Sequence, residues 1–180
     1  MLGRISRTKG QRLFLEALLP LLDSEAGLRL AIGGAVDFED PAEETHLRSL
    51  VATSGHGDRV VFDGTVDALA FLDRLDVLVV PSLWEEPFGL VAVEGMARGL
   101  PVVATRSGAL TEIVADGLTG LVVERAPSDL RAGVARLVQD EALRRELGAA
   151  GRSRVEARFS PATQLPAVER LVERAAVVAA

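Results

Sequence analysis

Apolar side chains recur along this chain at two spacings, and the two take turns. Over 10–22, Leu13, Phe14, Ala17, Leu18 and Leu21 fall on one face of a helix. Residues 28–33 read as a strand running into Gly33-Gly34. Pro41 suits a helix start, so 41–53 is predicted helical. Residues 59–62 form a short strand closed by Asp63-Gly64, and 66–74 a helix. The run 76–80 is almost wholly apolar, as expected of a strand buried on both faces. A helix at 90–98, a strand at 101–104, a short helix at 109–115 and a strand at 120–123 follow. From Asp129 the pattern stays helical, over about 129–138, 140–157 and 161–176.

Strands that alternate with helices predict an α/β fold, a Rossmann-like three-layer domain with helices on both faces of a parallel sheet. The reading gives one domain over 1–180, with 161–176 as a C-terminal helix. Ligands of such sheets sit beyond the carboxyl ends of the strands. The loops 3–9, 33–40, 63–66, 81–89 and 105–109 are therefore where function is expected.

Composition narrows the chemistry. Cysteine is absent, and His46 and His56 lie in unrelated contexts, so neither a thiolate metal site nor a histidine-led triad is expected. A net charge of −6 argues against nucleic acid as a general partner. No apolar run approaches the ~20 residues that span a membrane, and the basic start lacks a signal-peptide core. The expected location is the cytoplasm. Lys9 is the only lysine among 20 basic residues, which marks it either as a chosen point charge or as a chance surface residue.

The opening loop Gly3-Arg4-Ile5-Ser6-Arg7-Thr8-Lys9-Gly10 collects cations ahead of a helix start. Cations there oppose the helix dipole unless an anion, a phosphate above all, lies between them and the free N–H groups. A solvated basic segment is the alternative, and the local residues leave both open. The helix from Leu90 is apolar nearly all round and is expected to be buried, with Glu94 its one carboxylate. A buried carboxylate needs a partner: Arg98, four residues on, or ligand hydroxyls. Pro87 stops a helix from running through Glu86, and Gly89 leaves room for a ligand at the backbone. Carboxylates beside an anion site fit a nucleotide sugar, whose hydroxyls donate and whose diphosphate accepts.

The stretch Glu86-Pro87-Phe88-Gly89-Leu90-Val91-Ala92-Val93-Glu94-Gly95-Met96-Ala97-Arg98-Gly99, with two glutamates eight apart, resembles the signature of retaining GT-B glycosyltransferases. It is most similar to their GT4-like group, the glycosyl transferases group 1. The opening loop, Val61-Phe62-Asp63-Gly64, Val79-Val80-Pro81-Ser82 and the segments 108–114 and 117–122 extend the resemblance over most of 3–125. The resemblance implies the C-terminal, donor-binding half of a GT-B enzyme that transfers a hexosyl group. Arg4 and Lys9 would hold and stabilise the leaving diphosphate of a UDP- or GDP-type donor. Glu86 would bind the sugar hydroxyls, and Phe88, Gly89 and Leu90 would offer backbone N–H groups. Glu94 would hold the ribose, and backbone near Phe62 and Gly64 would bracket the base. Neither a metal nor another cofactor is implied.

Three departures accompany it: Gly95 for a usual Ala, Gly108-Ala109 for Gly-Gly, and Thr111 for Pro. Glu112 reads as structural, while Trp84 and Glu85 are candidates to shape the pocket. Members of the family are about twice as long, with an N-terminal acceptor domain. The first strand is accordingly expected to be largely truncated here, and the acceptor domain supplied in cis or in trans. The isolated chain is then expected to bind donor and transfer little. Leu165, Val168, Leu171, Val172 and Ala175 form an apolar stripe that the absent domain would cover, and self-association is the expected consequence. A subunit of a split enzyme and a non-enzymatic interaction domain are the alternatives.

Overall fold

The computed structural model of the protein describes residues 1–38 and 40–178, with backbone alone for 167, 173 and 175–178. Helices α1 (Gln11–Leu18), α2 (Leu21–Ser24), α3 (Ala42–Ser54), α4 (Ala68–Leu72), α5 (Leu90–Ala97), α6 (Leu110–Ile113) and α7 (Pro127–Gln139) alternate with strands. The strands are β1 (Leu30–Gly33), β2 (Val60–Gly64), β3 (Leu78–Val80), β4 (Val102–Thr105) and β5 (Leu121–Val123). Helices α8 (Glu141–Arg158) and α9 (Pro161–Val178) close the chain.

The predicted elements are present, with one correction. The helix expected over 10–22 divides into α1 and α2, because Pro20 has no N–H to continue the ladder. Caps fix other starts: the Asp67 carboxylate accepts the Ala70 N–H (2.8 Å) and the Asp140 carboxylate that of Leu143 (2.9 Å).

All strand pairs are parallel: β1 with β2, β3 with β4, and β4 with β5. Alternate residues of β3, β4 and β5 enter different apolar clusters, as the pleat requires. Val79, Val103 and Leu121 join Leu15, Leu18, Leu47 and Leu130 of α1, α3 and α7 on one face. Leu78, Val80, Val102, Ala104 and Val122 join Leu72, Ala92, Met96, Leu110 and Val155 on the other. The expected three layers follow. Among the described residues no helix is long and apolar enough to cross a membrane.

The expectation that α5 is buried all round does not hold. Ala92, Gly95 and Met96 are buried, but Leu90 is 65% exposed. The helix packs one face on the sheet and turns Leu90 to the rim of a cavity. The α9 stripe is also uncovered: Leu165, Val168, Leu171 and Val172 are exposed, while the Ala175 side chain lies outside the described residues.

Residues 1–5 run beside β1. The Met1 amino group is buried and donates to the Ala31 carbonyl (2.7 Å). Burial lowers its pKa from 8.0 to about 5. The unfolded chain holds that proton up to pH 8.0, whereas the folded chain has released it by about pH 5. Stability is thus highest above pH 8 and falls as the pH drops towards 5, by up to about 4 kcal/mol. Urea unfolding between these pH values checks the slope, and N-terminal acetylation should flatten it.

Candidate functional site

Loops at the carboxyl ends of the strands converge as the fold class requires. The opening loop is held from within by Gln11, which is wholly buried. Its Nε2 donates to the Arg4 carbonyl (2.7 Å) and its Oε1 accepts the Ser6 N–H (3.4 Å). The same loop is tied to the segment after β3, where the Leu83 N–H donates to the Thr8 carbonyl (2.9 Å). That tie brings Lys9 Nζ to 2.6 Å from Glu86 Oε1 across 77 residues of sequence.

Glu86 is 7% exposed, so its charge must be met inside the protein. Burial pushes its carboxyl upward. The Lys9 and Ser82 hydrogen bonds, the Lys9 charge and Trp84 outweigh that push, and the group ionises below the ordinary range. Ser82, itself buried, donates to Glu86 Oε1 at 2.9 Å. Lys9 Nζ also stands 5.8 Å from the Trp84 ring centroid. These groups line a cavity of about 350 Å³ with Gly3, Phe88, Gly89 and Leu90. Of the predicted site residues, Lys9, Glu86, Phe88, Gly89 and Leu90 thus share one cavity.

Arg4, Glu94, Phe62 and Gly64 fall outside that lining. Arg4 pairs with Asp37 (3.0 Å), and Arg7 with Asp40 (3.2 Å) and Glu43 (3.7 Å), so the basic loop faces an acidic one. The end of β2 is brought to Gly33-Gly34 by the Gly34 N–H, which donates to the Gly64 carbonyl (2.7 Å). The Arg48 guanidinium covers the Phe62 ring at 4.5 Å.

One local expectation needs correction, and one open alternative is decided. Gly89 does not hold space open for a ligand. It has φ +87°, and a Cβ there would stand 2.6 Å from Leu110 Cδ2, so the space is filled by the core. Of the two partners open to Glu94, Arg98 is not taken: it bonds Asp73 just past α4. Glu94 is half-buried and makes no hydrogen bond or ion pair among the described residues. The first turn of α5 leaves backbone N–H groups without intrahelical partners, beside Lys9 and Glu86.

Sequence reading missed the residues that set the height of Glu86. The Glu86 carbonyl accepts the Ala109 N–H (2.9 Å), and Thr105 Oγ1 donates to the Ser82 carbonyl (2.7 Å). Arg125 donates to the carbonyls of Leu83 (3.3 Å) and Arg106 (3.0 Å) and to the Glu85 carboxylate. Glu85 also accepts the Gly108 N–H (2.6 Å), and these two contacts, Arg125 first, keep its pKa low. Of the two pocket-shaping candidates, Trp84 lines the cavity and Glu85 instead ties two loops together. Ser82 lay inside a stretch already singled out; Arg125 carried no sequence signal. Among the described residues no cluster of acidic or histidine side chains is arranged to hold a metal.

A cation, a carboxylate and a row of N–H groups around one cavity can receive an anion next to a hydroxyl-rich group. The family pattern described as glycosyl transferases group 1 matches residues 1–154. D-inositol 3-phosphate glycosyltransferase from Arthrobacter sp. is 36% identical over 158 residues, covering 82% of this chain and 36% of that protein. The C-terminal domain of a group 1 family protein (LpcC) from Francisella tularensis superposes with a TM-score of 0.83 at 27% identity, over 89% of this chain and 85% of that one. The Anabaena protein HepE, solved with UDP, shares the fold with a TM-score of 0.90 at 23% identity, over 96% of this chain and 47% of that one. The chain therefore spans little more than a third of its curated relative.

Proposed function

The chain belongs to the glycosyl transferases group 1 family, and from that premise we propose that it binds the donor of a retaining hexosyl transfer. The donor is a nucleoside diphosphate sugar of UDP or GDP type. The observation that carries the reading is the Lys9–Glu86 pair under the first turn of α5. Lys9, the neighbouring N–H groups and Arg4 take the diphosphate and stabilise the charge left on it when the sugar departs. Glu86, held by Ser82, accepts from sugar hydroxyls. Glu94, free of protein partners among the described residues, accepts from the ribose. The backbone of Phe62 and Gly64 borders the base. The structure of HepE with UDP is a precedent for nucleotide binding on this fold.

Calorimetric titration with UDP, GDP and ADP, without divalent metal, tests the reading. One of the first two should bind saturably; silence from all three would remove it.

The reading also makes 1–180 one donor-binding unit in the cytoplasm. The acceptor is held by the remainder of a longer enzyme, in cis or in trans. The exposed row Leu165, Val168, Leu171 and Val172 is then a surface which that remainder covers. Alone, the chain should self-associate through it. Light scattering should show a mass that grows with concentration and returns to the monomer value in Leu171→Glu.

A further inference from the structure

Trp84 is the one tryptophan of the chain, and 45% of it is exposed. An indole offers more apolar surface to bury than almost any other side chain, so leaving nearly half of it in water forgoes stability. Its backbone is nonetheless fixed. Just before it, the Leu83 N–H donates to the Thr8 carbonyl (2.9 Å), and the Leu83 carbonyl accepts from Arg125 (3.3 Å). The Trp84 carbonyl itself accepts from the buried Ser107 hydroxyl. Just after it, the Glu85 carboxylate accepts the Gly108 N–H (2.6 Å), and the Glu86 carbonyl that of Ala109 (2.9 Å). A half-exposed ring on a tied backbone has little freedom to lose when a ligand meets it.

The ring borders the cavity that holds Lys9 and Glu86. Lys9 Nζ lies 5.8 Å from its centroid, and the indole N–H adds to the groups that keep the Glu86 carboxyl low. Among the described residues, the polar side-chain groups of this lining are Lys9, Ser82, Glu86 and that N–H; the other lining side chains are apolar or glycine. A few polar groups in an apolar and aromatic wall fix one edge of a ligand and pack the rest. A pyranose is built that way, with hydroxyls along its edge and C–H bonds on its faces. The edge calls for the carboxylate. The C–H face sheds water most favourably against an aromatic ring, whose negative face attracts polarised C–H groups. The other parts of a nucleotide sugar fit the ring less well. A diphosphate gains nothing from a negative π face, and Phe62 and Gly64, which would border a base, lie outside this lining.

We propose that Trp84 is a specificity-determining residue for the transferred sugar. Its indole stacks on the C–H face of a neutral pyranose while Glu86 takes the hydroxyl edge. The proposal rests on the reading that this cavity takes a nucleoside diphosphate sugar, and it divides that donor between two sets of groups. The diphosphate depends on Lys9 and the first turn of α5, and the sugar on Trp84. Because the segment that carries the ring is tied on both sides, a sugar with a bulky axial group on the stacked face is refused.

The test is calorimetry of UDP, UDP-glucose, GDP and GDP-mannose on the unaltered chain, Trp84→Ala and Trp84→Phe. Trp84→Ala should weaken the nucleotide sugar that binds by about tenfold and leave its bare nucleotide within about threefold. Trp84→Phe keeps a ring without the indole N–H, and should hold the nucleotide sugar within about threefold of the unaltered chain. As the sole tryptophan, Trp84 also reports directly and without substitution: acrylamide quenching of its emission should fall with the nucleotide sugar and not with the nucleotide alone. Equal losses for nucleotide and nucleotide sugar in Trp84→Ala would overturn the proposal. So would a Trp84→Phe as weak as Trp84→Ala, or quenching that ignores the sugar. Each of these leaves nucleotide binding standing, whereas silence from all four ligands on the unaltered chain removes the donor reading and this proposal together.

Discussion

Lys9→Met lowers nucleotide affinity by more than about a hundredfold, the largest functional effect expected of any single substitution. A hydrogen bond to a charged group contributes about 1.5–3 kcal/mol, and Lys9 supplies the charge as well. Its loss also strips Glu86 of its cation at 2.6 Å, leaving a nearly buried carboxylate that repels the incoming diphosphate. Lys9→Arg should recover little, because a planar fork does not fit where a compact ammonium meets Glu86, Ser82 and the Trp84 ring. The double variant Lys9→Met/Glu86→Gln should recover stability but not binding, which separates the two effects. Calorimetry reads the affinity and thermal unfolding the stability. Affinity kept within fivefold in Lys9→Met would put the phosphate elsewhere.

Gly10→Ala carries the largest expected structural effect, about 3–5 kcal/mol of lost stability. Gly10 caps α1 with φ +77°. A Cβ there would stand 1.9 Å from the Pro81 carbonyl oxygen, a backbone atom that cannot turn aside. Strain in the left-handed region adds about 1–2 kcal/mol. Gly117 offers the comparison: φ +70°, with nothing within 4 Å of where a Cβ would lie. Gly117→Ala should therefore cost only the conformational strain. Denaturant unfolding of the pair separates close approach from backbone geometry. Equal losses would mean that the contact of the opening loop with Pro81 is not rigid.

These two positions also mark what could be read before the structure. Helix and strand order was legible because the apolar spacing states it locally, and the all-apolar run around Leu78 announced a strand covered on both sides. The break at Pro20 shifted one boundary only. Lys9 and Glu86 were each marked by their neighbours, but their contact was not, since it depends on the Leu83–Thr8 bond between distant loops. Arg125 was invisible for the same reason: a lone arginine after β5 gives no hint that it will gather the carbonyls of Leu83 and Arg106. Local spacing could not decide whether Arg98 meets Glu94, because it says nothing of Asp73 just past another helix. Where the apolar pattern was overread, at α5, it counted faces without knowing that one would border a cavity.

The scarcity of lysine has a practical side that the fold sharpens. Two amines exist in the chain, the Lys9 ammonium and the amino group of Met1. The second is buried and hydrogen-bonded, beyond the reach of a bulky acylating reagent. The first is 29% exposed on the wall of the cavity. Amine-directed labels, which scatter over the surface of most proteins, will here mark one atom. The yield of that single adduct becomes a direct gauge of how occupied the cavity is, with no fluorophore, substitution or enzymatic assay required.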